Sequence, residues 1–282
     1  MNATQSIGQV LADAQGQGMP RLDAQLLLLI SLGRDSNDRA WLISHDHEPM
    51  PAQAVARWCT LYKRWQAGEP VAYLRGHKEF YGLDLQVDPR VLIPRPDTET
   101  LVDWALDLVR QLTAPVHAVD LGTGSGAIAL ALASQGVPGL QLTATDASDS
   151  ALAVARSNAH SLGLDVRFCL GHWFDAVPGE RFDMVVSNPP YIAEGDHHLA
   201  ALRHEPATAL SSGPDGLSDI RTIVGQAPAH LRDGGWLLFE HGHDQSATVR
   251  QLLSQAGFSG VTSHTDLAGI ERCTGGQWRE QR

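Results

Sequence analysis

Apolar residues recur at helical spacing through the first part of the chain: Ile7, Val10 and Leu11; Leu22, Leu26, Leu29 and Ile30; then Val55, Trp58, Leu61, Tyr62 and Trp65. Steps of three and four put such residues on one face of a helix. Asp23 and Gln25 through Leu29 fall in one predicted helix, and Pro51 starts another, since a proline in the first turn removes no N–H that the helix uses. The pattern predicts a small helical domain over 1–75. Between Gly76 and Ile93 the period changes to two, and Glu79 to Val87 alternate as a hairpin-like linker over 76–93, closed off by Pro94 and Pro96. Asp97 or Thr98 is expected to cap a helix reaching about Leu112, with Glu99 in its electropositive first turn.

From Pro115 onward, short apolar runs alternate with helical stretches. Strands are predicted at 115–121, 141–145, 166–170 and 182–187, then at 235–241 and near 258–263 and 269–278; helices at 127–134, 150–162, 216–231 and 245–256. Alternation of this kind predicts an α/β fold with a Rossmann-like, mostly parallel sheet over 94–282.

Chemistry gathers at the ends of the first four strands. The first is followed by Gly122-Thr123-Gly124-Ser125-Gly126 and a helix, the opening of a nucleotide-binding βαβ unit, where glycines allow close approach of a ligand and the helix start offers N–H groups. Gly122, Gly124 and Ala127 also satisfy the dinucleotide fingerprint. The second strand ends in Asp146, placed to accept from ribose hydroxyls, a geometry that serves NAD and S-adenosylmethionine equally; its bland role is to cap the helix at 150–162, which Asp149 is also placed to do. Beyond the third strand, Trp173 is an aromatic for an adenine ring or, alternatively, core packing. The fourth strand runs into Asn188-Pro189-Pro190-Tyr191. A conjugated NH2 nitrogen is a poor nucleophile because its lone pair is delocalised, and acceptors aimed at its two N–H bonds favour the charge that develops as it is methylated. The Asn188 side-chain oxygen and the Pro189 carbonyl are suited to that task, the two prolines end the sheet and stiffen the loop, and Tyr191 can lie against the planar group. A hydride-transfer enzyme has no use for such a clamp, so NAD chemistry ranks below methyl transfer.

The chain resembles the release-factor glutamine methyltransferases, the PrmC/HemK family of class I S-adenosylmethionine-dependent enzymes, over essentially its whole length. The likeness is carried by Glu69 to Leu74 with Glu79-Phe80, Leu92-Ile93-Pro94-Arg95-Pro96-Asp97-Thr98-Glu99, Asp120 to Gly126, Ser187 to Tyr191, and Phe239-Glu240-His241-Gly242. It implies N5-methylation of the glutamine in the Gly-Gly-Gln loop of class-1 peptide chain release factors, with S-adenosylmethionine becoming S-adenosylhomocysteine. By the same resemblance Gly122 to Gly126, Asp146, Trp173 and Asn188 hold the cofactor, Asn188 to Tyr191 hold the glutamine amide, and the last two strands form an antiparallel hairpin at the sheet edge. The stretch 195–206 is slightly shorter than the family pattern. Methylation of adenine N6 in DNA or RNA is the alternative.

Composition narrows the choice. Net charge is −11, and residues 1–82 carry eight basic and eight acidic side chains, so the excess lies in the α/β part, a poor platform for bare nucleic acid. Cys59, Cys169 and Cys273 are few and scattered, which predicts a reducing compartment, no disulfide framework and no metal site. The pairs His45/His47, His197/His198 and His241/His243 are read as surface or loop histidines. The apolar run Leu26 to Ile30 is too short to span a bilayer and no basic segment precedes it, so a cytoplasmic protein is expected. A sulfonium methyl needs no metal and no general base of tuned pKa. The helical domain either stabilises the fold or docks the protein substrate. Gly275-Gly276-Gln277 repeats the implied target tripeptide, and is read as a chance occurrence.

Overall fold

The helical periodicity of the first segment becomes five helices in the structure, a computed structural model that describes residues 5–36 and 38–280: α1 (Ile7–Gly16), α2 (Arg21–Leu32), α3 (Arg39–Ser44), α4 (Ala52–Gln66) and α5 (Val71–Arg75). Ser6 caps α1 through a capping box with Gln9, α2 stops at the left-handed Gly33, and Pro51 precedes α4 as its sequence position suggests. The core takes Ile7, Val10, Leu29, Trp58 and Leu61 from the predicted stripes, but α2 turns Leu27 and Leu28 inward as well, while Leu22 is exposed and Leu26 lies outside the core. The chain divides into two compact units, Met1–His77 and Lys78–Arg282.

The second unit holds the hairpin of β1 (His77–Phe80) and β2 (Leu83–Gln86), then α6 (Glu99–Val109), β3 (Val116–Leu121), α7 (Ala127–Ser134), β4 (Leu140–Asp146), α8 (Asp149–Leu162), β5 (Arg167–Leu170), β6 (Phe182–Ser187), α9 (Ser218–His230), β7 (Leu231–Glu240), α10 (Ser246–Gln255), β8 (Ser259–Thr265) and β9 (Glu271–Gln277). Strands β3 to β9 form one seven-stranded sheet in the order β5-β4-β3-β6-β7-β9-β8. The first five in that order are parallel, while β9 runs antiparallel to both β7 and β8, the edge hairpin expected from the resemblance. Successive residues of a strand face opposite sides. Ala118, Met184 and Val186 accordingly enter a core with Leu101, Ala105, Ile128 and Leu132, whereas Val119, Val185 and Leu237 enter another with Ile220, Ile223 and Val249. Both faces of the sheet are thus covered by apolar residues, which leaves the strand ends for polar chemistry.

Two cap assignments are corrected. Pro96–Thr98 form a 3₁₀ turn before α6, and neither it nor α6 has a side-chain cap; Asp97 and Thr98 have other partners. The cap of α8 is Ser148, whose hydroxyl accepts from Ala151 N, with Asp149 in the first turn.

Gly275 and Gly276 are packing residues. A Cβ at Gly275 would lie 2.4 Å from Leu238 Cδ2 and 2.8 Å from Trp104 Cη2. Gln277 pairs with Trp236, which in turn pairs with Met184, near the start of β6, and its amide donates to Gly234 O at 2.9 Å. The tripeptide is part of the sheet, at the end remote from Asn188. Gly275→Ala should therefore destabilise the protein by about 1–3 kcal/mol, the usual cost of overpacking. Urea unfolding would measure this, and an unchanged midpoint would contradict the packing.

Candidate functional site

The sheet's register lines up the functional candidates. Leu121 pairs with both Thr145 and Ser187, and Ser187 pairs with Phe239. The next residue on each chain is therefore Gly122, Asp146, Asn188 or Glu240, four positions on one line across the carboxyl edge. With strands spaced about 4.8 Å apart, Asp146 and Asn188 stand roughly 10 Å from each other on either side of the glycine loop. Trp173 follows just beyond β5, on the outer side of Asp146.

The glycine loop is fixed from several directions. Gly122 N and Thr123 N both donate to Thr145 O, and Gly124 N donates to Asp146 Oδ2 at 2.9 Å. Gly122, Gly124 and Gly126 all have left-handed backbones, with φ of 74°, 56° and 86°. A Cβ on Gly122 would strike Trp173 at 2.9 Å, and one on Gly124 would project into open space. Asp120, fully buried, accepts from the Thr123 hydroxyl at 2.6 Å and from Ala129 N at 3.3 Å, so it ties the loop to the start of α7. Asn158 on α8 donates to Ser125 O and to Gln86 O and accepts from Gln86 N, joining the loop to β2. Asp146 also accepts from Ser148 N at 2.9 Å; each of its oxygens has one backbone partner and retains a second lone pair. Trp173 is 7% exposed, packs in the core with Phe174 and Val177, and has a φ of 48°, a strained value for a side chain of that size. Its buried Nε1 has no partner.

At Asn188 the polarity is uneven. Asn188 Nδ2 donates to Thr98 Oγ1 at 3.3 Å, while Oδ1 is buried without a partner. The Tyr191 hydroxyl donates to Glu240 Oε1 at 3.4 Å, and Glu240 Oε2 is another buried, unpartnered oxygen. Burial pushes the Glu240 carboxyl up to about 7, opposed by the Thr98 hydroxyl and the Arg272 guanidinium. Burial also raises the Tyr191 phenol, helped by the charge of Glu240. The segment before α6 is bound into the same region residue by residue. Glu205 accepts from Ile93 N at 3.0 Å and pairs with Arg95, Asp97 pairs with Arg272 at 2.7 Å, and Glu99 accepts from Tyr81 N at 3.0 Å.

Two family models match the chain, "Methyltransferase small domain" over residues 102–213 and "PrmC N-terminal domain" over residues 2–76. A release factor glutamine methyltransferase of Bordetella pertussis is 50% identical over 262 residues, 92% of this chain and 95% of its own length. Another from Pseudomonas aeruginosa is 49% identical over 97% of this chain and 99% of its own. The chain belongs to the release factor glutamine methyltransferase family. A crystal structure of a methyltransferase from Pyrococcus furiosus shares the fold, with a TM-score of 0.53 at 19% identity over 77% of this chain and 98% of its own.

In this family member, the predicted residues Gly122 to Gly126, Asp146, Trp173 and Asn188 to Tyr191 come together at the carboxyl ends of β3 to β6. Thr98, Asn158, Glu205, Glu240 and Gln245 were missed as part of this region. Only Glu240 carries a local signal, a carboxylate directly after the apolar run Trp236-Leu237-Leu238-Phe239. The others depend on contacts between distant segments. Burial raises Asp120, like Glu240, to about 7. His241 lies in the loop after β7, as read, but away from the surface: it is fully buried and bonded through Nε2 to Thr274 Oγ1 at 2.7 Å. His197 and His198 lie exposed beside Asp196, the one cluster of metal-capable groups among the described residues. Asp196 already accepts from His198 N and pairs with its ring.

Asp120 yields a prediction with a definite sign. A buried acid with a raised pKa keeps its proton in the folded state where the unfolded chain has lost it. Its contribution to stability is complete below the ordinary value of 3.8 and is lost as pH rises through about 7. Asp120→Asn keeps an acceptor and has no charge to bury. The stability of the parent relative to this variant should fall between pH 4 and pH 8 in urea titrations, and a flat difference would contradict the assignment.

Proposed function

We propose that this chain transfers the methyl group of S-adenosylmethionine to the side-chain amide nitrogen (N5) of the glutamine in the Gly-Gly-Gln motif of class-1 peptide chain release factors. The observation that carries the reading is the buried, unpartnered Asn188 Oδ1, standing beside Pro189 on the line that includes the glycine loop. An acceptor without a donor is costly in isolation. A substrate NH2 is the donor it lacks.

The residues fit a nucleoside cofactor. The turn around Gly124 leaves open space where a side chain would stand, and Asp146 retains acceptor capacity for ribose hydroxyls. Gly122, Thr123, Gly124, Ser125 and Gly126 would hold it with Asp146, Trp173 and Asn188. When bound, S-adenosylmethionine supplies a methyl carbon made electrophilic by its sulfonium, so no metal is called for. The protein's own contribution is alignment and exclusion of water. Asn188 Oδ1 and the Pro189 carbonyl accept the two N–H bonds of the amide, Pro190 keeps the loop stiff, and the Tyr191 ring, anchored at its hydroxyl by Glu240, limits how the planar group can lie.

We divide the chain into a helical domain at 1–75, which stabilises the fold or docks the release factor, a hairpin linker at 76–93 and a methyltransferase domain at 94–282. A substrate of translation fits a cytoplasmic protein, and among the described residues no helix is long and apolar enough to cross a membrane. The acidic balance of the second unit opposes stable nucleic-acid binding.

Labelled cofactor should pass its methyl group to purified class-1 release factor and not to duplex DNA or RNA; transfer to nucleic acid alone would install the adenine N6 reading. Asn188→Ala should lower transfer by about 100-fold or more, the scale of losing one preorganised electrostatic partner, while much of the cofactor affinity is retained through the glycine loop and Asp146. Activity that survives this substitution would remove the clamp.

A further inference from the structure

The clamp works only if Asn188 presents oxygen, not nitrogen, to the substrate. An Asn amide is nearly symmetric in shape, so packing alone does not choose between its two ends. A substrate NH2 meeting Nδ2 would set donor against donor. Something must fix the polarity, and the residues that surround the amide show what does.

Asn188 Nδ2 donates to Thr98 Oγ1 at 3.3 Å. Thr98 is 4% exposed and stands just before α6, where its hydroxyl makes no cap to the helix. A hydroxyl has one hydrogen and two lone pairs, so it is able to accept from Nδ2 or donate to Oδ1. The neighbouring Glu240 breaks this tie. Its ionised carboxylate only accepts, and the nearby Thr98 hydroxyl favours that ionised form. With Glu240 ionised, the Thr98 hydrogen is best turned toward it, and the lone pairs left facing Asn188 suit Nδ2, the end that stands 3.3 Å from Thr98 Oγ1. Glu240 is itself held between the Tyr191 hydroxyl and the charges of Arg272 and Asp97, with Cys273 opposite it on β9.

We infer that Thr98 is a positioning residue which fixes the amide orientation of Asn188, leaving Oδ1 alone to receive the substrate. The inference rests on the function proposed above and adds a residue from a segment 90 positions away in sequence. It also accounts for a threonine at a helix start that does not use its hydroxyl as a cap.

The test compares Thr98→Val, which keeps the shape and removes the hydroxyl, with Thr98→Ser, which keeps the hydroxyl. Purified class-1 release factor is the substrate, and binding of S-adenosylhomocysteine is measured separately by calorimetry. Thr98→Val should lower kcat by about 10- to 100-fold, the range for losing a buried hydrogen-bonded arrangement, with product affinity unchanged within about 2-fold. Thr98→Ser should restore most of kcat. Should the valine variant fail to fold, Thr98→Ala, which needs less space, must show the same loss. Equal kcat for the valine, serine and parent proteins overturns the inference, as does a loss shared equally by valine and serine. Asn188→Ala separates the two levels. An inactive Asn188→Ala beside a fully active Thr98→Val removes only the positioning role, whereas an active Asn188→Ala removes the clamp beneath it.

Discussion

A parallel sheet covered on both faces has one place for polar chemistry, its carboxyl edge, and the register of that edge decides which side chains can act together. Here β3 pairs with β4 on one side and β6 on the other such that Leu121 is opposite Thr145 and Ser187 alike. The Ser187 hydroxyl reinforces this by donating to Leu121 O at 2.7 Å. Because side chains alternate along a strand, a slip of one residue at β6 would turn the last strand residues to the opposite face and carry Asn188 out of line with Gly122. The apolar partition between the two cores opposes that slip, since Met184 and Val186 face one core and Val185 the other. The stability of the interior and the alignment of the site are therefore one constraint.

That constraint explains which parts were legible in the sequence. The strands β3 to β6 end in residues whose chemistry is local: glycines that take positive φ, an acid that closes β4, two prolines that end β6. The repeating order of elements gave the parallel sheet because crossover helices leave little alternative. The antiparallel β9 came from the family resemblance. What stayed hidden depends on contacts between segments far apart in the chain. Asp97 and Thr98 carry a helix-cap pattern, yet Asp97 pairs with Arg272 and Thr98 accepts from Asn188. His241 reads as a loop histidine, but its chain enters the interior next to β9 and finds Thr274. In each case local propensity named a plausible role, and a tertiary partner supplied a stronger one.

The same contrast applies to the buried carboxylates. Glu240 closes β7 and Asp120 stands one residue short of the end of β3, both at the polar edge, and burial disfavours the charged form of both. Asp120 offsets this with the Thr123 hydroxyl and the first turn of α7, where the helix end favours negative charge. Glu240 has the Tyr191 hydroxyl and the guanidinium of Arg272. Neither arrangement gives the lowest energy for the protein alone, since apolar groups of similar size would avoid the desolvation altogether. Both stand near the carboxyl ends of the strands that flank β6, the pattern expected where polar groups organise a site.

Rigidity is the remaining requirement, because an acceptor that moves loses the alignment it provides. The segment that follows Asn188 is held on several sides. Ile192 N donates to Leu210 O, Ser212 N donates to Ile192 O, and the Gln245 side chain links Tyr191 O to Gly242 N at 3.0 and 2.9 Å. Gly216 leaves room for this: a Cβ there would lie 2.2 Å from Tyr191 O. Upstream, β6 is locked in the sheet, and between them the prolines restrict the backbone. The loop's main chain is thus fixed at both ends, and the freedom left to Asn188 lies chiefly in which end of its amide turns inward. A hydroxyl from the segment before α6 removes that freedom, which makes the Pro96 to Glu99 region part of the site and not merely the start of a helix.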